Sequence, residues 1–278
     1  MNVQFNKNVK KIVINLLSLI GALIFLFPYF FMVTSAFKSR LDTFAYPPIF
    51  INFKPTIENF IVIFRDINIM FYMKNSLIVS VGSTLISLII AIPATYALAR
   101  YKFFLREKIA YGFLLLQMIP GISVVFSIFL IARRWGLYDT HIALILSYLL
   151  WNIPYAIWML RGFVESIPAA LEESAMVDGC SRFKAFIFIT LPLMAGGLAA
   201  SSILVFIGVW NEFAISFFLT STGARTMPTT IAFFMTHVGI QWGPMFAAAT
   251  IGSLPVVIFS LLVRRYFVSA LTLGAIKG

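Results

Sequence analysis

The side chains best suited to specific polar contacts lie in one stretch of an otherwise apolar sequence, residues 161–192. Pro168 can occupy the first position of a short helix there, and Gly179 can end that helix in a left-handed conformation. Small side chains on this helix would let another surface approach its backbone closely, while carboxylates could meet a basic partner. The acidic residues of the stretch are Glu165, Glu172, Glu173 and Asp178. We interpret the stretch as a docking element for a soluble partner.

A second short helix is predicted to begin near Ser181. Leu191-Pro192 is expected to stop this helix before the next hydrophobic segment, because proline has no backbone N–H with which to continue it. Its apolar face would carry three residues: Phe183, Phe186 and Ile187,.

The amino-acid composition is that of a membrane protein. Hydrophobic residues make up 61% of the 278 residues and charged residues 11%, with a mean hydropathy of +0.97, whereas a soluble domain has about a quarter charged residues. An excess of basic residues on the cytoplasmic side of a membrane explains the net charge of +11,, and no nucleic-acid-binding motif accompanies it. The single cysteine, Cys180, excludes an intrachain disulfide and a multi-cysteine metal site,.

Six hydrophobic spans are predicted, which makes the chain an all-α integral membrane protein with one transmembrane domain over residues 1–278. About 20 apolar residues suffice to cross a bilayer as a helix. Prolines fall inside several of the spans, and Pro120-Gly121 is expected to interrupt the third. The spans cover about residues 12–37, 75–99, 109–132, 141–160, 196–219 and 244–263, and residues 161–192 connect the fourth span to the fifth.

The distribution of basic residues predicts the orientation of these spans. With an even number of spans, both termini lie on the same side of the membrane. Placing them in the cytoplasm gives the cytoplasmic segments 13 of the 21 lysine and arginine residues. Five of the others lie in the long connector at residues 38–74, where the positive-inside rule is weaker. Residues 161–192 are therefore predicted to face the cytoplasm as well.

A carboxylate inside the predicted fifth span is the second candidate site. Glu212 is the only acidic residue assigned to a span, and Trp210 and Asn211 precede it. An ionised group at membrane depth is costly and normally faces the bundle interior or water. Two interpretations stay open with about equal weight. Glu212 either belongs to the translocation path or its gate, or it is a structural carboxylate held by helix ends or by a partner subunit.

Catalytic motifs are absent from the sequence. It contains no phosphate-binding GxxxxGK[ST], no HExxH and no Ser/His/Asp arrangement with a suitable spacing,, so we predict neither a catalytic residue nor a metal site. ATP-driven transport would then require an ATPase in another chain. Three aromatic residues could stack on sugar rings, but helix packing or an aromatic belt is the favoured explanation; they are Trp151, Tyr155 and Trp158.

The spacing of the docking stretch resembles the EAA loop of ABC-importer membrane subunits. It reads Glu173-Ser174-Ala175, three residues, Gly179, nine residues, Ile189, one residue and Leu191-Pro192. Ser174 differs from the alanine usual in that family, a small change that still permits close docking. The resemblance implies that the loop couples the membrane subunit to an ATPase through seven positions: Glu173, Ser174, Ala175, Asp178, Gly179, Leu191 and Pro192.

Further segments resemble carbohydrate-importer permeases of the maltose-transporter second-permease type, from about the first span to the last residue. They are Asn75–Leu77, Tyr96–Arg100, Trp210–Phe213 and Arg265–Gly278. The resemblance implies an ABC type I importer permease fold in a bacterial or archaeal cytoplasmic (inner) membrane. It also implies a second permease subunit, two ATPases that use ATP and Mg, and an extracellular or periplasmic binding protein that delivers a carbohydrate. No cofactor is expected on this chain itself.

A self-sufficient secondary transporter driven by an ion gradient is the alternative function. Such proteins usually contain internal repeats and intramembrane ionisable residues for ion coupling. The sequence has no detectable repeat, and Glu212 is the single acidic residue in the predicted spans. The importer function is therefore favoured.

The predicted orientation can be tested at Cys180. A membrane-impermeant thiol reagent should leave Cys180 unlabelled in sealed cells and label it after permeabilisation, because residues 161–192 are predicted to be cytoplasmic. Rapid labelling from outside, in cells shown to be sealed, would overturn the six-span orientation.

Overall fold

The computed structural model describes residues 2–236 and 239–275, with side chains over residues 10–235 and 239–263. The predicted cytoplasmic end of the chain, residues 276–278, lies outside the described residues. The helices are α1 (Asn2–Ala36), α2 (Arg40–Thr43), α3 (Glu58–Arg65), α4 (Ile69–Arg100), α5 (Arg106–Gln117), α6 (Gly121–Arg134), α7 (His141–Ser166), α8 (Ala169–Val177), α9 (Arg182–Ala185), α10 (Leu191–Leu193), α11 (Ala195–Trp210), α12 (Ala214–Leu219), α13 (Met227–Ile231) and α14 (Trp242–Ala275).

Short non-α elements complete the secondary structure. A π-helical turn covers Phe186–Thr190 and a 3₁₀ turn covers Ala232–Phe234. Two short strands, β1 (Met235–Thr236) and β2 (Gly239–Ile240), pair antiparallel. The chain is all-α apart from this strand pair, as its composition predicts.

Four helices in the described residues are long and apolar enough to cross a membrane by themselves. Two further pairs of helices are apolar enough together but are bent, by 91° between α5 and α6 and by 69° between Arg182–Leu193 and α11. By length and composition, the described residues therefore contain four helices able to span a membrane, or up to six if each bent pair is one span. The single helices cover Lys10–Ala36, Ile69–Arg100, His141–Ser166 and Trp242–Val263.

The interruption predicted in the third span is present at Pro120. This residue has an extended backbone and directly precedes α6, because proline cannot donate the hydrogen bond that would continue α5. Gln117 Nε2 donates to the Trp151 carbonyl at 2.8 Å, and Trp151 Nε1 donates to the Ile119 carbonyl at 3.4 Å. A Cβ added at Gly121 would lie 3.7 Å from the Trp151 ring. Trp151 thus packs against the bend and satisfies backbone groups there.

Helix α7, which corresponds to the fourth predicted span, is longer than that span. The hydropathy of the sequence ends the span at Leu160, whereas α7 continues to Ser166. Hydropathy marks only the part of a helix that suits lipid, and the added residues carry charge. Arg161 and Glu165 pair at 2.7 Å across one helical turn, which supports a helical extension in water.

The chain packs as two compact units. The first contains the residues up to Ile69 together with Ile231–Ser253, and the second contains Met70–Thr230 together with the residues from Leu254. The assignment of residues 1–278 to one domain stays a prediction. In the first unit, Asn59 Nδ2 donates to the carbonyls of Ala36 and Lys38, both at 2.9 Å. These bonds satisfy backbone acceptors where α1 ends.

Two apolar clusters form the core of the second unit. One includes Leu160 and Val164 of α7 together with Met194, and it packs around the end of α4. The other includes Leu144 of α7 and Leu219 of α12. Helix α7 contributes to both clusters. Its last residues also form the start of residues 161–192.

The contact between α7 and α11 depends on Gly197. A Cβ added there would overlap the Phe163 ring, whereas nothing lies within 4 Å of a Cβ added at Gly208 on the same helix. We expect Gly197→Ala to destabilise the protein by about 1–3 kcal/mol, because overpacking forces neighbouring side chains to move. Thermal unfolding in detergent, followed by the loss of monodisperse protein, measures the effect.

The matched control for this prediction is Gly208→Ala. It places the same methyl group on α11 in open space, and it should unfold at the wild-type temperature or slightly above it, since alanine favours helix. Equal unfolding temperatures for both variants would show that α11 does not pack closely on Phe163.

Candidate functional site

The predicted docking helix is α8. It begins after Pro168, whose backbone is extended, and Gly179 follows it with φ of +91°. Gly179 N–H donates to the Met176 carbonyl at 3.1 Å, and Cys180 N–H donates to the Ala175 carbonyl at 2.9 Å. This pair of bonds is the Schellman motif, in which a glycine in the left-handed region ends a helix. The predicted role of Gly179 in the backbone is confirmed.

The second short helix, α9, also begins where the sequence predicts. The Ser181 hydroxyl accepts from the Lys184 N–H at 3.3 Å and caps the helix,. Phe186 is buried as expected, but Phe183 is 72% exposed. The prediction that Phe183 shares a buried apolar face with Phe186 is wrong. The chain changes to a π-helical turn at Phe186, so the α-helical spacing does not continue.

Leu191-Pro192 does not stop the helical segment, contrary to the sequence-based expectation. The segment continues through α10 to Leu193, and the bend falls at Met194. The π-helical turn explains this difference. Leu191 N–H donates to the Phe186 carbonyl, five residues earlier, so the backbone already leaves the α-helical hydrogen-bond pattern before Pro192, which has no N–H to place.

A buried carboxylate at Glu172 holds this loop in place. It accepts from the Tyr96 hydroxyl at 2.7 Å, from the Thr190 hydroxyl at 2.7 Å and from Arg100 Nε at 2.8 Å. Arg100 also donates to the Ile167 carbonyl at 2.8 Å. Glu172 is only 3% exposed. It therefore ties α8 to the end of α4 and to the π-helical turn through one side chain.

The bonds around Glu172 decide its charge state. Desolvation by burial raises the pKa of the Glu172 carboxyl, but the hydrogen bonds from Tyr96, Thr190 and Arg100 together outweigh it, so the pKa is lowered from its ordinary value,. The carboxylate is ionised at neutral pH. Sequence reasoning did not assign it a role, although Tyr96 and Arg100 stand one helical turn apart and mark a polar patch at the end of α4.

Most of the other residues of α8 are exposed. Glu173 is exposed and has no side-chain hydrogen bond or ion pair within the part of the chain that the structure describes. Val177 is 87% exposed, so the outer surface of α8 combines charge with apolar area. The structure brings most of the predicted coupling residues onto this loop surface. Ser174, Asp178, Gly179 and Pro192 are exposed, and Ala175 and Leu191 are half-buried.

Glu165 differs from the other acidic side chains of the loop. It pairs with Arg161 at 2.7 Å and with Arg106 at 3.2 Å, and Arg161 also pairs with Glu107 at 2.9 Å. These ion pairs connect the start of α5 to the end of α7. Glu165 is therefore not a free surface residue.

The second candidate, Glu212, lies in a break between helices rather than inside one. The predicted fifth span is interrupted, since α11 ends at Trp210 and α12 begins at Ala214. The Glu212 carboxylate accepts from the Ile215 N–H at 2.9 Å, from the Ser216 N–H at 3.2 Å and from the Tyr148 hydroxyl at 2.8 Å. It thereby caps α12 within the chain.

This geometry bears on the two interpretations of Glu212. Every bond to its carboxylate comes from the same unit of the chain, which favours the structural interpretation. Trp210 is buried and Asn211 is exposed, so the three predicted residues do not form one surface. Their role in a path or gate stays a prediction.

Asp139 is a further carboxylate with many partners, and sequence reasoning missed it. Its two oxygens accept four backbone N–H groups of residues 221–224 at 2.8–3.1 Å. Burial raises the pKa of Asp139, but these four bonds outweigh it and hold the pKa well below its ordinary value,. Asn75 Nδ2 donates to two carbonyls of the same loop, at Gly223 and Arg225. Asp139 and Asn75 thus fix the segment after α12.

Metal binding has no support in the described residues, which contain no group of three His, Cys, Asp or Glu side chains able to hold an ion. Of the aromatic residues considered for sugar stacking, Trp151 packs against the α5–α6 bend. Tyr155 is partly buried against the apolar core, and Trp158 is 44% exposed.

Long apolar helices together with bent apolar helix pairs define a multi-pass membrane protein, and the short helix α8 is exposed beside them. The profile of the family described as "Binding-protein-dependent transport system inner membrane component" matches residues 83–272. The chain belongs to this family and is a permease subunit of an ABC importer.

Two curated relatives match almost the whole chain. The trehalose/maltose transport system permease protein MalG of Thermococcus litoralis is 38% identical over 273 residues, with 97% of this chain and 98% of that protein covered. The diacetylchitobiose uptake system permease protein DasC of Streptomyces coelicolor is 37% identical over 253 residues, with 91% and 92% covered.

A solved structure has the same fold. It is the crystal structure of a bacterial ABC transporter involved in the import of the acidic polysaccharide alginate, with a TM-score of 0.73 at 20% identity. The similarity covers 94% of this chain and 98% of that chain. The importer assignment, the permease fold and the non-catalytic role predicted from the sequence are confirmed, and the ion-coupled secondary transporter is not supported.

The bonds of Glu172 predict a large loss of stability in Glu172→Gln. The neutral amide of glutamine can accept a hydrogen bond from Arg100 but cannot form an ion pair with it. Breaking a buried ion pair typically costs about 3–5 kcal/mol. Because the pKa of Glu172 is lowered in the folded state, its contribution is present above the unfolded value of about 4.3 and is lost as pH falls through the folded value. Thermal unfolding of wild type and variant should therefore differ most near pH 7 and converge in acid.

The control for Glu172 is its neighbour. Glu173→Gln should unfold like the wild type at every pH, because this exposed carboxylate has no bond within the described residues. Equal stability of both variants near pH 7 would mean that the buried bonds do not hold the loop.

Proposed function

We propose that this chain imports carbohydrate as one permease of an ATP-driven transporter in the cytoplasmic membrane of a bacterium or archaeon. The observation that carries the substrate class is the similarity, over almost the whole chain, to permeases named for trehalose/maltose and for diacetylchitobiose. A binding protein outside the cell would deliver a sugar, oligosaccharide or polyol. A second permease would complete the translocation path.

Two observations support the proposed partners: the sequence has no nucleotide-binding motif, and α8 has an exposed surface. ATP and Mg would therefore be used by two ATPase subunits on the cytoplasmic side. Their groove would receive α8, where Ser174 and Ala175 allow close approach and Glu173 meets a basic residue. The free energy for alternating access would come from ATPase closure.

The buried bonds of Glu172 supply a route for that motion. When the ATPases close, they would displace α8, and Glu172 would carry the displacement to Arg100 on α4 and to Thr190 in the π-helical turn. A rigid, fully hydrogen-bonded joint suits this task, because a loose one would let α8 move alone.

Purification and uptake together test the proposal. The chain should copurify with a second permease and an ATPase, and reconstituted vesicles should take up a labelled sugar when the binding protein and ATP are supplied. ATP depletion should abolish uptake, whereas an uncoupler that spares ATP should not. Uptake that follows an ion gradient without an ATPase would refute the proposal.

Glu173→Ala and Gly179→Val are expected to uncouple transport. Removing Glu173 would leave a basic residue of the ATPase unpaired in a partly desolvated interface, which costs about 2–5 kcal/mol. Gly179 has φ of +91° and nothing within 4 Å of an added Cβ, so a side chain there meets backbone strain rather than a clash, at a cost of about 1–2 kcal/mol or more for valine. The readouts are ATPase copurification and substrate-stimulated ATP hydrolysis.

Two control variants accompany these changes. Gly162→Val adds the same side chain on α7, where nothing lies within 4 Å and no positive φ is required. Glu58→Ala removes an exposed carboxylate outside the loop. Transporters assembled with either control variant should show the substrate-stimulated ATP hydrolysis of the wild-type complex. Normal coupling in Glu173→Ala and Gly179→Val would mean that residues 161–192 are only a connector.

A further inference from the structure

A cavity of about 250 Å³ lies within the first unit of the chain. It is formed by the end of α1, by α2 with the residues that follow it, and by the start of α14. Four of its ten lining residues are aromatic. Phe31 meets Phe246 edge-on with ring centroids 5.9 Å apart, and Trp242 stacks on Phe246 at 5.8 Å.

A buried lysine contributes the cavity's cation. Lys38 is only 2% exposed, and its Nζ lies 3.3 Å from the Ser35 hydroxyl, its one described hydrogen-bond partner. The Phe31 and Phe53 ring centroids are 4.9 and 5.5 Å from the same nitrogen. An ammonium group has three N–H donors, and aromatic faces only partly replace water around it. Lys38 therefore has donor capacity left over.

An acidic residue supplies an acceptor in the same cavity. Asp42 lines it, and its carboxylate accepts from the Ser39 hydroxyl at 2.6 Å. Lys38 and Asp42 do not form an ion pair in the part of the chain that the structure describes. Burial lowers the pKa of Lys38 and the charge of Asp42 opposes that change. Lys38 and Asp42 thus line the same cavity with opposite charges and without a direct ion pair.

This combination selects among ligand classes. An anion would be attracted by Lys38 but repelled by Asp42, and a cation the reverse, so the two charges offset each other for a simple ion. An apolar ligand would leave both polar groups without compensation, which is costly in a desolvated site. A neutral ligand with several hydroxyl groups can accept from Lys38 and donate to Asp42, while its C–H face packs on the aromatic walls. The cavity is below the range of about 300–1,000 Å³ typical for drug-sized ligands, so the ligand is small.

We propose that this cavity binds one sugar unit through Lys38, Asp42 and the aromatic walls at Phe31 and Trp242. The proposal rests on the proposed carbohydrate import and adds a site on this chain that does not depend on the binding protein. Phe44, which lines the cavity, is 60% exposed, so part of the cavity wall lies at the surface of the chain. By the predicted orientation, this is the outer side of the membrane.

Direct binding to the full chain tests the proposal. The purified chain in phosphatidylcholine nanodiscs is titrated with glucose or maltose, and binding is followed by saturation-transfer NMR. We expect saturable binding that weakens about tenfold or more in Lys38→Met and in Asp42→Asn, because each variant loses a hydrogen bond to a charged group. Asp42→Asn keeps the residue's size and stands as the second variant in case Lys38→Met does not fold.

The control variant is Lys54→Met, which removes an exposed charge of the same unit away from the cavity. It should bind sugar like the wild type. No sugar binding by the wild type, or equal binding by all variants, would overturn the proposal. Inorganic phosphate serves as the anionic probe. Phosphate binding that exceeds sugar binding and strengthens in Asp42→Asn would identify an anion site and would also overturn it.

Uptake by the assembled transporter separates this proposal from the proposed function. If vesicles import carbohydrate but the chain binds no sugar in a way that depends on Lys38 and Asp42, only the cavity proposal fails. If the chain binds sugar but the assembled transporter imports no carbohydrate, the cavity proposal stands and the proposed function fails.

Discussion

The carboxylate of Glu172 is the contact on which the arrangement of residues 161–192 depends. One buried charge accepts from α4, through Tyr96 and Arg100, and from the π-helical turn, through Thr190. A buried ion pair is not stabilising by itself, because desolvation offsets much of the attraction. Once formed, however, it strongly disfavours any arrangement that leaves one partner alone. The pair therefore fixes where α8 lies relative to α4.

The same requirement explains how the bent helices persist in a membrane. Backbone groups freed by a break must find partners inside the protein, and the second unit supplies them locally. Trp151 serves the bend at Pro120 by donating to the Ile119 carbonyl, and Glu212 serves the start of α12. Each of these two breaks therefore has a polar side chain that satisfies backbone groups.

Sequence reasoning succeeded where the determinant is local and failed where it is a distant partner. Gly179 and Ser181 were identifiable because a left-handed turn and a helix cap involve only neighbouring residues. The break at Glu212 was missed, because an apolar run has the same hydropathy whether or not its helix is continuous. Glu172 and Asp139 were missed for another reason: their partners are 18 to 85 residues away in the chain, and spacing alone does not bring them together.

The acidic side chains differ in their contacts: some accept hydrogen bonds from other parts of this chain, whereas Glu173 is exposed and has no such bond among the described residues. Glu172, Asp139 and Glu212 accept hydrogen bonds from this chain alone, which uses their acceptor capacity in holding elements together. Glu173 lies beside Glu172 in the sequence and keeps its capacity, since it faces outward without a partner among the described residues. Adjacent carboxylates thus differ only in the direction that α8 gives them. Anchoring α8 through the buried Glu172 leaves Glu173 exposed, which is what the proposed docking requires.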